Sequence, residues 1–203
     1  MTDQAVSPSK SSQDVVEAAL TVFAEKGFDR STMQDVASVA GLHKSSIYHY
    51  FRSKDEMLLA VCRPTLDELL DSIDSVVRAT NLSPRQRVEE SFAAAADVAL
   101  GHVRETNIIL SQRPGSPAGD EILRHRLAYE SRFADLIRDA GSLTREAAIL
   151  RARVLLGTIN WVLMWFRPER SSYSVDDVTT EIRSVLGREL MISDATSELP
   201  RRA

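Results

Sequence analysis

A chain of 203 residues, 43% of them hydrophobic, is long enough for one large or two small domains around a sizeable core. Its formal net charge of -4 excludes the strongly basic architectural DNA binders, and its single cysteine, Cys62, excludes an intrachain disulfide and points to a reduced, cytoplasmic setting. No apolar run approaches the length of a membrane span and the polar N-terminus has no signal-peptide core, so a soluble protein without a membrane partner is expected.

Residues 1–10 contain Ser, Thr and Pro and read as a disordered tail. A first helix begins at Ser11 or Ser12, with Asp14 in its first turn. It carries Val16, Ala19, Leu20 and Phe23 on one face and stops at Gly27. Thr32 then caps a second helix, with Asp35 three residues on, and Val36, Ala37 and Ala40 line its apolar face. Gly41 ends it by supplying the positive φ of a sharp turn, and Leu42 follows as an apolar plug. A third helix over about 44–50 buries Ile47 and Phe51 and exposes Lys44, Ser45, Ser46, Tyr48 and His49. These donors and one aromatic have the composition of a recognition helix that meets base edges in the major groove.

Charge supports a local DNA edge. Residues 1–60 hold six Lys and Arg against eight Asp and Glu, yet from Gly41 to Lys54 the cations Lys44, Arg52 and Lys54 stand without any carboxylate. Phosphate contacts of this kind position a reading module, and base contacts give it sequence preference.

Ser53 with Glu56 opens a long fourth helix whose stripe runs Leu58, Val61, Cys62, Leu66, Leu69, Ile73 and Val76. Pro64 removes one of its backbone hydrogen bonds and clashes with the carbonyl of Ala60, which predicts a kink or short break. Ser83 followed by Pro84 opens a helix carrying Val88, Phe92, Ala95 and Ala96 to about Arg104, and a short helix spans about 105–112. Residues 113–119 form the clearest loop. Further helices are expected at about 120–140, 144–166 and 175–192, the last opened by Ser174 with Asp177, and residues 193–203 read as a frayed tail. The fold class is therefore all-α.

Catalysis finds little support. The spacings of His43, His49, His102 and His125 match no metal-binding helix motif, and there is no Walker loop or dinucleotide glycine fingerprint. The Gly115–Gly119 stretch resembles a nucleophile elbow only superficially, because its serine comes one residue too early and no strand precedes it. No enzyme, cofactor or metal is expected. The rival readings are an all-α protein-interaction or scaffold protein that uses the helix-turn-helix as a protein contact, and a helical hydrolase.

The run TMQDVASVAGLHKSSIYHYFRSKDEML resembles the helix-turn-helix signature of the tetracycline-repressor (TetR) family of one-component transcriptional regulators. Thr32, the Ala40-Gly41 pair, Tyr48-His49-Tyr50-Phe51 and Lys54 carry the resemblance, and His43 departs from it where a Ser or Thr commonly caps the recognition helix. The resemblance implies a tail at 1–10, a three-helix DNA-binding domain at 11–56, a helical ligand-binding and dimerisation domain at 57–192, and a tail at 193–203. It makes Thr32, Met33, Gln34, His43, Lys44, Ser45, Ser46, Tyr48, His49, Tyr50 and Lys54 candidates for contact with a double-stranded DNA operator.

The resemblance also implies a homodimer through the last two helices. Val154, Leu155, Thr158, Trp161, Val162 and Trp165, with Val178, Ile182, Val185 and Leu186, offer more apolar surface than one small domain easily hides. An effector cavity in the C-terminal half is expected to draw on Phe92, Tyr129, Phe133, Asn160, Trp161, Met164 and Trp165. Finally, Asn160-Trp161 through Trp165-Phe166-Arg167-Pro168 is similar to the penultimate-helix end of TetR-like regulators of fatty-acid, steroid and aromatic acyl-CoA breakdown. That similarity implies a hydrophobic effector, an acyl-CoA first, with Arg113 and Arg126 as phosphate or carboxylate partners. The overall expectation is a repressor released by its ligand.

Overall fold

The computed structural model describes residues 11–168 and 170–189, and among them finds nine helices and no strand. The helices are α1 (Ser12–Lys26), α2 (Met33–Ala40), α3 (Lys44–Ile47), α4 (Lys54–Arg78), α5 (Pro84–Gly101), α6 (Val103–Ser111), α7 (Pro117–Ala140), α8 (Arg145–Trp165) and α9 (Val175–Glu189). Both expected tails, and the last three residues of the helix expected to reach 192, lie outside the described residues.

Local sequence sets most helix starts. The Ser11 hydroxyl accepts the Asp14 N–H while the Asp14 carboxylate accepts the Ser11 N–H, and Thr32 with Asp35 and Ser83 with Gln86 form the same reciprocal box. Pro84 and Pro117 occupy first-turn positions where no N–H is needed. The α5–α6 break falls at His102, earlier than the sequence suggests, because that residue leaves helical geometry at φ -125°, ψ 51°. The other difference is at Pro64. No break occurs there, and α4 runs as one 25-residue helix. Packing outweighs the lost hydrogen bond, because Val61, Cys62, Thr65 and Leu66 are all buried around the proline.

Two apolar cores result. The first gathers Val15, Ala19 and Phe23 of α1, Val36 and Ala37 of α2, Ile47 of α3 and Met57 to Leu66 along α4. Ile108, Ile109, Ala118 and Ile122, from α6 and the start of α7, complete it, so α1 to α3 are packed on the C-terminal half. The second core stacks Phe92 and Ala96 of α5, Phe133 and Ile137 of α7, and Ala152, Ile159 and Leu163 of α8, with Phe166 and Val178. Full burial of each large apolar side chain contributes about 1.5 to 3 kcal/mol. Among the described residues, polar links across the halves include Arg104, which reaches Glu17 at 3.2 Å and Thr21 at 2.9 Å, and Asp55, which accepts the Ala118 N–H at 3.2 Å.

Helix α8 corrects one expectation from the sequence. It is long and apolar enough, by length and composition, to cross a membrane, yet its apolar residues divide between two sides. Leu155, Ile159 and Leu163 face the second core, whereas Leu150, Val154, Trp161, Met164 and Trp165 remain exposed.

Candidate DNA-binding surface and effector cavity

The helix-turn-helix is built by its caps and its glycine. Gly41 adopts φ 66°, ψ 35°, and the Leu42 N–H reaches back to the Ala37 carbonyl at 2.9 Å, closing the α2 C-terminus in the way a left-handed cap does. His43 then begins α3 without any side-chain cap. The α-helix is shorter than the sequence suggests, Lys44 to Ile47, and a further turn carries the chain to Phe51, whose N–H bonds the Ile47 carbonyl at 3.0 Å. The missing cap leaves α3 dependent on burial of Ile47 and Phe51, which fixes the opposite side outward.

Thr32 and Gln34 at the start of α2, and His43, Lys44, Ser45, Tyr48 and His49 in and around α3, are exposed, with Ser46 and Tyr50 half-buried. Tyr48, at 48% exposure, is the large aromatic of the surface. Arg52, exposed beside them, adds a cation. Two of the expected contacts do not belong to this surface. Met33 is buried, because the position after the Thr32 cap turns toward α1 and the first core. Lys54 is occupied within the domain: its ammonium donates to the carbonyls of Phe28 at 2.8 Å, Ser31 at 3.0 Å and Asp29 at 3.4 Å, and lies 4.2 Å from the centre of the Phe28 ring. It ties the α1–α2 turn to the start of α4 instead of reaching for phosphate. Asp35 is likewise structural, held at about 2 by the hydrogen bond from Lys26 and by those from Thr32.

In the C-terminal half, a cavity of about 370 Å³ lies among α4, α5, α6, α7 and α8. Leu66, Leu69, Ala99, Ile109, Leu156 and Ile159 give it apolar walls, and the volume falls at the lower end of the range of small-molecule sites. Thr106, His125, Arg126, Tyr129, Glu130, Arg153 and Asn160 supply its polar groups. The Tyr129 hydroxyl is buried without a hydrogen-bond partner, and burial raises the phenol's pKa, so it stays protonated as a donor. Arg126 also lines the cavity, half-buried and with no hydrogen-bond or ion-pair partner among the described residues. Burial, then the neighbouring charge of Arg113, make its guanidinium easier to deprotonate than usual. Glu130 is already engaged by Arg153 at 2.9 Å, and Asn160 stands at the rim.

Of the expected cavity residues, Tyr129, Arg126 and Asn160 come together there. Phe92 and Phe133 do not. Both are fully buried and pack on each other at 6.1 Å between ring centres, as core. Trp161, Met164 and Trp165 are also misplaced by the sequence reading, since they are 63%, 67% and 51% exposed on the outer side of α8. Trp165 instead borders an open groove of about 680 Å³ with Val162, Tyr173, Val178 and Ile182, between α8 and α9. Arg113 lies in the α6–α7 loop, outside the cavity wall. The side chains of Val185 and Leu186 lie outside the described residues. The aliphatic lining from α4, α5 and α6 was not foreseen, because the sequence marks these residues only as core.

Comparison with known proteins agrees with this architecture. Residues 15–61 match the family model of bacterial regulatory proteins of the tetR family, and residues 81–188, more than half of the chain, match that of the tetracyclin repressor-like C-terminal domain. The transcriptional repressor KstR2 of Rhodococcus jostii is 26% identical over 182 residues, covering 85% of this chain and 87% of that protein. KstR2 of Mycolicibacterium smegmatis is 24% identical over 170 residues, or 79% and 82% of the two chains. Among solved structures, the ketosteroid regulator KstR2 of Mycobacterium tuberculosis shares the fold with a TM-score of 0.76 at 22% identity, over 89% of this chain and 94% of its own. A helix-turn-helix with its recognition face outward, joined to a helical domain matched by the second model, leaves neither the scaffold nor the hydrolase reading favoured: the chain belongs to the TetR family of DNA-binding transcriptional regulators and is not an enzyme.

Proposed function

We propose that the protein is a cytoplasmic, homodimeric repressor that binds an inverted-repeat operator and leaves it when a hydrophobic small molecule, an acyl-CoA thioester first, enters the cavity. The observation that carries the ligand part is that a buried Tyr129 hydroxyl without a hydrogen-bond partner and a half-buried Arg126, unpaired among the described residues, line one cavity whose remaining charged pair, Glu130 with Arg153, is already engaged. Buried polar groups without partners are costly, and a ligand oxygen that satisfies them recovers that cost. The relatives named as KstR2 repressors, one of them described as a ketosteroid regulator, support repression and an apolar effector.

Exposed Leu150, Val154, Trp161, Met164 and Trp165 support the dimer through α8 and α9, since an apolar face of this kind on a regulator is best explained by a second copy. Two recognition helices then read half-sites about 34 to 36 Å apart or a multiple of that. The thioester prefers one arrangement of α4, whose Leu66 and Leu69 border the cavity and whose first turn follows the recognition helix, and so shifts the population away from the DNA-bound spacing. Fluorescence anisotropy of a labelled operator, titrated with fatty, steroid-derived and aromatic acyl-CoA thioesters, tests the reading. Release by one class is expected; binding of every class without release refutes the regulatory role.

A further inference from the structure

A second concavity, of about 620 Å³, separates the DNA-binding half from the C-terminal half. The α1–α2 turn, Gly27 to Arg30, forms one wall, and the α6–α7 loop, Ser111 to Ser116, forms the other. Its charges are Arg30, Arg113 and the single carboxylate Asp29. Neither arginine has a hydrogen-bond or ion-pair partner among the described residues. The Asp120 carboxylate, which follows the loop, is already engaged by the Gly115 N–H at 3.0 Å.

This cleft adjoins the effector cavity along α6. Ile109 and Leu110 stand in the cavity wall, and the next three residues, Ser111 to Arg113, stand in the cleft wall. The loop is built to hold Arg113 there, since its carbonyl packs so tightly on Gly119 that a Cβ at 119 would collide with it. Arg30 and Arg113, both exposed, thus face one cleft beside the cavity that Arg126 lines. Two guanidiniums beside a single carboxylate leave the cleft electropositive, and a multiply charged anion can engage both at once.

We propose that the effector site is split between the domains. The cavity takes an apolar acyl chain, the cleft takes a phosphate-rich head, and Arg30, a residue of the DNA-binding domain, is a direct ligand of that head together with Arg113. The inference rests on the acyl-thioester reading above and deepens it. It also gives the ligand a handle on the DNA-reading helices, because the turn that bears Arg30 is the turn Lys54 holds against α4 through the carbonyls of Phe28 and Ser31.

Isothermal titration of the full-length protein with decanoate, decanoyl-CoA, free coenzyme A and decanoyl lysophosphatidate tests it, on wild type, Arg30→Gln, Arg113→Gln and Arg126→Gln. Decanoyl-CoA is expected to bind more tightly than decanoate. Arg30→Gln and Arg113→Gln should each cost about tenfold for the thioester, the size of one charge-assisted hydrogen bond, and leave decanoate within about twofold. Arg126→Gln should weaken both. Lysophosphatidate binding with the same arginine dependence keeps the split site and makes a lipid its source of phosphate. Equal losses for decanoate and decanoyl-CoA, or no thioester preference, overturn the split site while leaving the cavity reading intact. Absence of binding by all four probes overturns both.

Discussion

Lys54→Met separates two roles that the sequence alone leaves confounded. In the structure the ammonium makes two good hydrogen bonds, to Phe28 and Ser31, a longer one to Asp29, and a contact with the Phe28 ring. A hydrogen bond to a charged group is worth about 1.5 to 3 kcal/mol and an exposed cation–π contact about 0.5 to 1. Lys54 is only half-buried and water replaces part of what is lost, so the expected cost is about 2 kcal/mol. For a chain of this size that lowers Tm by about 4 to 8 °C at fixed protein concentration. A lysine serving only as a phosphate contact behaves differently: its loss leaves Tm alone and lowers the log-log salt slope of operator binding by about one unit. Circular dichroism melting, paired with operator anisotropy at several salt concentrations, reads both quantities. An unchanged Tm with a slope reduced by one unit would refute the clamp.

Other substitutions probe the remaining parts. Tyr48→Ala and Lys44→Ala, on the exposed recognition face, should weaken operator binding with little change in Tm, and gel shifts showing full affinity for both would place DNA elsewhere. Trp161→Asp puts a charge on the exposed side of α8, so helicity should survive while sedimentation velocity reports monomers; an intact dimer rejects that face. Phe92→Ala, in the centre of the second core, should cost about 3 to 5 kcal/mol in urea unfolding, and a loss below 1 kcal/mol would contradict its packing on Phe133. The carboxyl of Asp35 is depressed from 3.8 to about 2, so its contribution is present above about pH 4 and disappears as pH falls through about 2. The stability gap between wild type and Asp35→Asn should therefore close over that window, and a constant gap would show that the Lys26 and Thr32 bonds do not set it.

What the sequence revealed was local. The boxes at Ser11, Thr32 and Ser83 involve residues three apart, and Gly41 carries its own conformational requirement, so helix starts and the sharp turn were readable before any coordinates. Misassignments arose where the deciding contact is distant. Lys54 finds its partners 23 to 26 residues earlier, in a turn that no helical periodicity describes. Helix α8 is apolar on two sides, and period alone cannot say whether Trp161 and Trp165 or Leu155, Ile159 and Leu163 face inward. Phe92 of α5 and Phe133 of α7 already pack on each other in the second core, where Leu155, Ile159 and Leu163 join them. Met33 shows the same limit on a smaller scale: the cap locates the helix start, and only its docking on α1 determines which first-turn residue is buried.

The proposed switch has to act through contacts of the right size. Coupling between an effector and an operator is typically about 1 to 3 kcal/mol, whereas driving a side chain such as Leu66 or Phe23 out of the first core costs about as much as the whole coupling for each residue moved. The cores are therefore poor places to store the signal. The polar links between the halves are better matched, since each of Arg104 with Glu17 and Thr21, and Asp55 with the Ala118 N–H, is worth about 1 kcal/mol or less at the surface. The Asp55 contact joins the first turn of α4 to the start of α7, the helix that also carries Arg126 and Tyr129. In the proposed switch, a ligand that draws those two side chains together would act on α7, whose start contacts the first turn of α4, directly after the recognition helix. Exchanging one or two such links supplies the needed coupling while both cores remain closed.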